Sequence, residues 1–337
     1  MSFFAMPKNR VRHSSADTSP RRDRQDSLME AKNQTTAFVM VGLVTHPELQ
    51  SLLFVVTLVM YVVSLVGNTL ISAAVCLDSA LHTPMHYFIS SLSWVDICYT
   101  TVTIPKMLES LLSQGTTISF TGCAAQLYFL DALGTAECFL LAAMAYDRLL
   151  AICHPLRYAV LMSTSRCAQL VVGSWASSLL LSLGQTLFIF TLPFCGEHRI
   201  NHFFCDVPPL LGLACGDTTM NEVAVFVAGM GITLIPSMLI VGSYLHIIAT
   251  VLKIKSAQGR RKAFSTCSSH LLVITLFYGS ASAMYLRPKS TYAPESDKFL
   301  ALLYCVVTPT LNPIIYSLRS KDINQAVGRV IAYKILR

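Results

Sequence analysis

The stretch Met144-Ala-Tyr-Asp-Arg-Leu-Leu-Ala-Ile-Cys-His-Pro-Leu-Arg-Tyr158 follows a long apolar segment and places an acid directly beside an arginine, Asp147-Arg148. Cys123 lies twenty-five residues before that arginine. A helix rises about 1.5 Å per residue, so the gap corresponds to roughly 37 Å, enough to cross a hydrocarbon core of ~30 Å. The stretch therefore predicts a helix with a cysteine at one membrane interface and a charged pair at the other.

The composition agrees with a membrane protein. Of 337 residues, 53% are hydrophobic and only 13% are charged, whereas soluble domains carry about 25% charged residues. The net charge of +7 favours contact with membrane lipids, because basic residues concentrate in loops that face anionic lipid. No stretch interleaves basic and aromatic residues as nucleic-acid sites do, so we expect no nucleic-acid partner.

Windows without Asp, Glu, Lys or Arg recur along the chain, and each is long enough for a spanning helix. They run between Glu48 and Asp78, Arg166 and Glu197, Glu222 and Lys253, Lys262 and Arg287, and Lys298 and Arg319. Two further apolar stretches, at about 84–108 and 122–152, contain acids but have the same length and character. The runs do not alternate as the strands of a β-barrel would. We therefore predict an all-α membrane protein, a bundle of seven transmembrane helices.

Basic residues predict the orientation of the bundle. If the first span runs inward, thirteen Lys and Arg residues fall on the inner side and five lie in the outer loops or at the outer end of a span, which places the amino terminus outside and the carboxyl terminus inside. Six more within residues 1–28 argue against this orientation. We expect an extracellular tail over 1–50, a seven-span domain over 51–319 and a cytoplasmic segment over 320–337. In that last segment the spacing of Ile323, Val327, Val330 and Ile331 predicts a short amphipathic helix on the inner leaflet.

Met29 offers an alternative start of translation. Starting there would remove the six basic residues within 1–28 and leave Asn33-Gln-Thr35, a glycosylation sequon, near the amino terminus on the outside. The other interpretation is that Met29 is an ordinary residue, and both stay open. No cleavable signal peptide is evident at the amino terminus.

Six motifs follow one another along these spans. They are Leu81-His-Thr-Pro-Met-His-Tyr-Phe88, Met144-Ala-Tyr-Asp-Arg148, Asn201-His-Phe-Phe-Cys-Asp206, Ser243-Tyr244, Lys262-Ala-Phe-Ser-Thr-Cys-Ser-Ser-His270 and Pro309-Thr-Leu-Asn-Pro-Ile-Ile-Tyr316. With these motifs the chain, from about residue 38 to residue 328, resembles the vertebrate odorant receptors, rhodopsin-like G-protein-coupled receptors, and in particular their tetrapod-type (class II) branch. Leu149 departs from the family, which usually has Tyr after Asp-Arg, and the tail before Met29 is longer than usual.

The resemblance implies an odorant receptor, a multi-pass protein of the plasma membrane and not an enzyme. It implies that a small volatile ligand binds between helices 3, 5, 6 and 7, and that an olfactory-type stimulatory G protein then raises cAMP. No catalytic motif such as His-Glu-x-x-His accompanies the intramembrane acids. Two alternatives stay open: a receptor of the same fold for a non-odorant metabolite outside the nose and, more distantly, a transporter or channel.

Asp131 lies eight residues beyond Cys123, about 12 Å along the helix from the outer interface. That is the depth at which the resemblance implies ligand binding. Asp131 is either a polar contact for a ligand, such as an amine or a hydrogen-bond donor, or the partner of a polar neighbour. The other residues expected to bind ligand are mostly small or apolar, so they would select by shape. They are Leu130, Gly134, Thr135, Gly229, Ile232, Ala281, Tyr285 and Leu302.

Two further acids lie at mid-span, Asp96 in the second helix and Glu137 in the third. Buried carboxylates are costly in a membrane unless they are paired or hydrated. Together with Asn68 and Asn312 they are expected to form a polar cluster, in which the resemblance implies a bound sodium ion. The alternative is a hydrogen-bonded network without an ion, and no other cofactor is expected.

Four cysteines are expected on the outer, oxidising side, where disulfides persist. The resemblance implies that Cys123 pairs with Cys205 and that Cys195 pairs with Cys215. Residues 195–205 also show the spacing Cys-x2-His-x3-His-x2-Cys, superficially a metal site. An oxidised Cys205 is not a thiolate ligand, so the disulfide is favoured.

The inner ends of the spans carry the residues expected to couple to a G protein. The resemblance implies that Arg148 is restrained in the resting state and is freed when the sixth helix moves outward. The full set of expected coupling and switch residues is Asp147, Arg148, Tyr244, Arg261, Lys262, His270 and Tyr316. The basic members are explained equally well as positive-inside anchors. His270 is either a switch or a hydrogen-bonded core histidine.

Overall fold

The computed structural model describes residues 37–41, 47–113, 116–194, 198–215, 218–285 and 294–335, and within them the chain is mostly helical. Six long helices come first: α1 (Pro47–Leu77), α2 (Pro84–Leu112), α3 (Phe120–Cys153), α4 (Thr164–Phe190), α5 (Thr219–Leu252) and α6 (Ala257–Tyr285). The chain ends with α7 (Pro294–Leu302), a π-helical segment (Leu303–Val307), α8 (Thr308–Arg319) and α9 (Lys321–Ile335). Short helices at Tyr158–Leu161 and Val207–Leu211 lie in the connections.

Among the described residues, five helical segments are long and apolar enough to cross a membrane. They are Glu48–Leu77, Phe120–Cys153, Thr164–Phe190, Thr219–Leu252 and Lys298–Ser317, the last of which runs from α7 through the π segment into α8. The helices α2 and α6 are of similar length but more polar. α2 contains Asp96 and many Ser and Thr residues, and α6 begins with the basic run that contains Arg260 and Arg261.

The helix α3 lies at the centre of the packing. It contacts α2, α4, α5 and α6, and 67% of its most apolar window is buried, against 11% for α1 and for α5. On α1, large apolar side chains such as Leu52 and Val55 are more than half exposed. Apolar surface of this extent is unusual on a soluble protein and is the kind of surface that a bilayer covers.

Local sequence explains where α3 begins and ends. The Ser119 hydroxyl accepts a hydrogen bond from the Gly122 N–H at 3.0 Å, which caps the first turn. The helix ends at Cys153, and Pro155 follows two residues later; the proline ring disfavours a helical backbone at His154, which precedes it. Cys123 therefore lies in the first turn and Arg148 near the last, at opposite ends as predicted.

A small three-stranded sheet, which the prediction of an all-helical chain missed, covers the end of the bundle near Cys123. The strand β1 (Ala37–Met40) lies between β2 (Thr116–Ser119), with which it is antiparallel, and β3 (Arg199–Ile200), with which it is parallel. Phe38 and Met40 on β1 are fully buried. The end of the tail is thus paired, strand to strand, with the connection that follows α4.

The helix α9 has the amphipathic character predicted from its spacing, but part of its apolar face packs on protein rather than facing lipid. Ile323 is fully buried and Val330 is 8% exposed, whereas Ile331 is 41% exposed. The helix contacts α1 and the turn after it. The Arg329 guanidinium donates to Oδ2 of Asp78, with its Nε at 3.1 Å, and this hydrogen bond holds the pKa of that carboxyl below its usual value.

Candidate functional site

A cavity of about 610 Å³ opens between α3, α5 and α6, beneath the connection that follows α4. Its walls combine apolar and aromatic side chains with a few polar groups, as small-molecule sites do. Its lining residues come from several parts of the chain: Tyr99, Leu127, Leu130, Asp131, Gly134, Thr135, Cys138, Gln185, Phe204, Asp206, Val207, Pro208, Leu211, Gly212, Glu222, Val225, Phe226, Gly229, Met230, Ile232, Thr233, Phe277, Ala281, Ser282 and Tyr304.

Seven of the nine residues expected at a ligand site line this cavity. They are Leu130, Asp131, Gly134, Thr135, Gly229, Ile232 and Ala281. Leu302 does not line it, and Tyr304 does. The π-helical segment Leu303–Val307 has wider turns than an α-helix, so the faces of this region differ from those that regular spacing predicts. The side chain of Tyr285 lies outside the described part of the chain, and the ligand-binding role of all nine stays a prediction.

The ceiling of the cavity was not predicted from the sequence. It is formed by Phe204, directly before Cys205, and by Asp206 and the short helix Val207–Leu211, directly after it. The side chain of Asp206 caps this helix, because its Oδ1 accepts a hydrogen bond from the Val207 N–H at 2.8 Å. The motif Asn201-His-Phe-Phe-Cys-Asp206 was the available signal, since a disulfide at Cys205 carries its neighbours toward α3.

Two links, one covalent and one polar, hold this ceiling on α3. The disulfide between Cys123 and Cys205 is present, with a Cα–Cα distance of 5.6 Å. Beside it, Oε1 of Gln126 accepts a hydrogen bond from the Cys205 N–H at 3.0 Å, and Nε2 donates to the Val102 carbonyl of α2 at 3.0 Å. Cys215 is also disulfide-bonded, and its expected partner Cys195 lies outside the described residues.

His202 is buried above the cavity and is 2% exposed. Its ring stacks on Phe203 with centroids 4.7 Å apart and meets Phe204 edge-on at 4.3 Å. Burial, and secondarily the charge of Lys298, lowers the pKa of this imidazole to about 3. His202 is therefore neutral at physiological pH and packs as an aromatic core residue. The metal interpretation of residues 195–205 fails because Cys205 is oxidised.

The mid-span acids lie in a buried polar cluster. Asn312 on α8 donates to both carboxylate oxygens of Asp96, at 3.2 and 3.1 Å, and it also lies beside Glu137. The amide of Asn68 instead bonds the Ser64 and Pro309 carbonyls, at 3.0 and 3.2 Å, so it joins α1 to α8.

The cluster retains oxygen atoms that could ligate a hard cation. One carboxylate oxygen of Glu137 and the amide oxygens of Asn68 and Asn312 are buried without a hydrogen-bond partner among the described residues. Oxygen-only donors are the set that a hard cation prefers. The residues present therefore fit a small cation such as sodium, for which Asp96 and Glu137 would supply the negative charge.

At the other end of α3, the Asp147–Arg148 pair is only loosely closed. Arg148 Nε lies 3.9 Å from Asp147 Oδ2. The hydroxyl of Tyr158 donates to Asp147 Oδ1 at 2.7 Å. Tyr158, which begins the short helix after α3, was not among the predicted switch residues. It fixes the acid and leaves the arginine, 16% exposed in its side chain, close to the surface.

The remaining switch residues divide between the core and the surface. The Tyr244 hydroxyl and His270 Nδ1 are 2.7 Å apart, which joins α5 to α6, and the hydroxyl of Tyr316 is buried without a hydrogen-bond partner in the described part of the chain. Arg261 is exposed, and the side chain of Lys262 lies outside the described residues. Hydrogen bonding of His270 agrees with both interpretations of that residue, because a switch and a core histidine each need a partner.

The sequence of this chain is similar to those of several known human proteins. A sequence profile described as "Olfactory receptor" matches residues 57–334. The human protein olfactory receptor 10A7 is 48% identical over 92% of this chain and 98% of its own length. Human olfactory receptor 10A2 is 51% identical over 85% of this chain and 94% of its own, and human olfactory receptor 10A5 is 49% identical over 90% and 96%.

Proposed function

The chain belongs to the olfactory receptor family, and we propose that it binds odorants in the cavity beneath Phe204 and passes the signal along α3 to a stimulatory G protein. The predicted family resemblance is confirmed by the profile and by the human relatives. The family is one of signalling receptors, which also confirms that the chain is not an enzyme.

We extend the five apolar segments to seven membrane spans by including α2 and α6. Both pack within the same bundle, α2 against α1 and α3, and α6 against α3 and α8. Residues 51–319 then form the receptor domain of a multi-pass plasma-membrane protein, with the tail 1–50 outside and 320–337 inside. The Cys123–Cys205 disulfide supports this orientation, since disulfides persist on the extracellular side.

One observation carries the proposed mechanism: a single buried helix connects the cavity to the charged pair. Asp131 and Thr135 on α3 line the cavity, and Asp147 and Arg148 lie on the same helix at its far end. Ligand binding would shift α5 and α6 relative to α3 and so change the bond between Tyr244 and His270. A bistable packing of this kind lets a pocket bias a distant surface. Arg148 then becomes available to the G protein, and cAMP rises.

A sodium ion at Asp96 and Glu137 fits the same scheme. Asp96, Glu137, Asn68 and Asn312 would hold the ion, which would offset part of the buried negative charge where α2, α3 and α8 meet. The buried oxygen atoms of Glu137, Asn68 and Asn312 without hydrogen-bond partners among the described residues support this assignment.

The test is a cAMP reporter assay in cells that co-express an olfactory-type stimulatory G protein, screened against a chemically broad odorant panel. Arg148→Ala is expected to abolish every response without lowering surface expression. Arg157→Ala is the matched control, because Arg157 is an exposed arginine of the same inner loop. Responses that survive in Arg148→Ala would refute this coupling mechanism. A surface-expressed parent that answers only to non-volatile metabolites would replace the odorant assignment with the metabolite one.

A further inference from the structure

The cavity carries three carboxyl groups and no cationic side chain among its described lining residues. Asp131 lies on α3, Asp206 lies in the ceiling, and Glu222 lies in the first turn of α5. The other lining residues are predominantly apolar. Like charges in a cavity with low-dielectric walls produce a focused field, here a negative one. The site therefore favours a positive charge in whatever it binds.

The two upper acids each accept a hydrogen bond from a neutral donor. Asp206 accepts one from the Val207 backbone, and Glu222 Oε1 accepts one from the Thr218 hydroxyl at 3.2 Å. These bonds orient the two carboxyl groups at the ceiling end of the cavity.

Asp131 lies deeper in the cavity than Asp206 and Glu222, and its carboxylate is less well hydrogen-bonded. The hydroxyl of Ser182 on α4 lies close enough to interact with this carboxylate, but the two groups do not form a hydrogen bond of normal geometry, and Oδ2 of Asp131 is buried without another partner among the described residues. A buried carboxylate oxygen without a donor is unfavourable, and a bound donor with positive charge relieves that deficit most completely. The unpaired oxygen and the cavity around it are independent observations, and both indicate the same ligand chemistry.

The other lining residues indicate which kind of ligand body the cavity accepts. Aromatic side chains, among them Phe204, Phe226 and Phe277, line it from the ceiling, α5 and α6. Such walls accept a hydrocarbon chain or ring, and their faces also attract a nearby cation. A carboxylic acid of the same size would instead bring a fourth negative charge.

Resting on the proposed function, we propose that the cavity selects small organic amines in their protonated form, with Asp131 as the counter-ion and the aromatic walls around the hydrocarbon body. Neutral alcohols of the same skeleton bind more weakly, and carboxylic acids are rejected.

The test uses matched triples of primary amine, alcohol and carboxylic acid, on straight chains from butyl to decyl and on phenylethyl and cyclohexylmethyl skeletons. In the cAMP assay the best amine is expected to have an EC50 at least about 10-fold below that of its alcohol, the effect of one charge-assisted hydrogen bond. Asp131→Asn is expected to raise the amine EC50 roughly 10- to 100-fold. Its effect on alcohols is expected to stay within about 3-fold, since a neutral ligand loses no ion pair.

Glu109→Gln is the control for this change of carboxylate to amide. Glu109 is 56% exposed in its side chain, pairs with Lys106 at 2.8 Å and does not line the cavity, so its replacement is expected to leave every EC50 unchanged. If Asp131→Asn does not reach the cell surface, the comparison of ligands on the parent receptor tests the proposal by itself. In the parent, a primary amine is expected to be at least about 10-fold more potent than its neutral methyl isostere, which has neither the charge nor the N–H donors.

The outcomes separate this inference from the receptor assignment. Responses to neutral odorants that exceed those to their amines, and that disappear in Arg148→Ala, would keep the receptor function and overturn the amine inference. A surface-expressed parent that responds to no amine overturns it as well, whatever else it detects. Equal loss of amine and alcohol responses in Asp131→Asn would show a role in packing rather than in charge recognition, and would also overturn it.

Discussion

Gln126 is expected to hold the cavity ceiling on α3 independently of the disulfide. Its side chain is 7% exposed, and its amide makes one hydrogen bond to the Cys205 N–H and one to the Val102 carbonyl, both at 3.0 Å. The substitution Gln126→Met keeps a side chain of similar length but removes both bonds. It leaves the buried N–H of Cys205 without an acceptor, which costs about 1–3 kcal/mol, and removes a second bond worth about 0.5–1.5 kcal/mol.

A loss of this size is measurable as a lower thermal unfolding temperature. One kcal/mol shifts Tm by about 2–4 °C in domains of roughly 150–250 residues, so a fall of several degrees is expected. The chain supplies its own reporters, because Cys138, Cys167, Cys267 and Cys305 are free and buried, and become reactive toward a thiol-sensitive dye on unfolding. Because Phe204 and Asp206 flank Cys205 and line the cavity, the EC50 for ligands should rise as well.

Gln169→Met is the matched control, since Gln169 is an exposed glutamine on α4. It should leave both Tm and EC50 at the values of the parent. If Gln126→Met also unfolds at the parent's Tm and responds at the parent's EC50, the two hydrogen bonds contribute nothing to the ceiling. In that case the disulfide alone would position Cys205, and an independent anchoring role for Gln126 would be refuted.

Three other perturbations test other parts of the fold. Moving from pH 7.5 to 5.5 should lower the free energy of unfolding by about 1.4 kcal/mol through His202. Burial lowers the pKa of this imidazole to about 3, so the folded state binds fewer protons than the unfolded state as the pH falls below about 6.5. In the dye assay, His202→Phe should lose that share of the pH dependence. Tyr244→Phe should lower Tm and raise ligand-independent cAMP, because it removes the 2.7 Å bond to His270 that joins α5 to α6; basal cAMP at the parent's level would argue against a restraint on the resting state. Asp78→Asn should speed hydrogen exchange in α9, since Arg329 loses its charged partner; parent-like exchange at low salt would show that apolar packing alone holds this helix.

The sequence predicted those parts of the fold that follow from length and local chemistry. The charge-free windows correspond to α1, α4 and α5, and the distance between Cys123 and Arg148 predicted the extent of α3 because helical rise is fixed. Seven predicted ligand residues line the cavity because depth along a regular helix can be read from residue number. These are consequences of backbone geometry and of the thickness of a membrane.

The parts that the sequence did not reveal depend on contacts between distant segments. The sheet requires the tail strand to pair with Ile118 and its neighbours on one side and with Arg199–Ile200 on the other, and no local periodicity encodes that pairing. Tyr304 replaces Leu302 in the cavity wall because a π turn interrupts the regular helix, a feature without a strong local signature. Tyr158 reaches Asp147 from a separate short helix, so its role appears only when the loop has folded back on α3.

The three acids of α3 explain why one helix serves three tasks. Asp131, Glu137 and Asp147 are separated by six and ten residues, which corresponds to about 9 and 15 Å along the axis and, at about 100° per residue, to directions roughly 120° and 80° apart. Each acid consequently meets different groups: the cavity, the amide of Asn312, and the hydroxyl of Tyr158. Because these groups differ, neutralising one acid does not satisfy another. Communication between them then requires movement of helices around α3 rather than a chain of charges. A change at Asp131 should therefore alter which ligands activate, whereas a change at Glu137 should alter the resting equilibrium for all ligands alike.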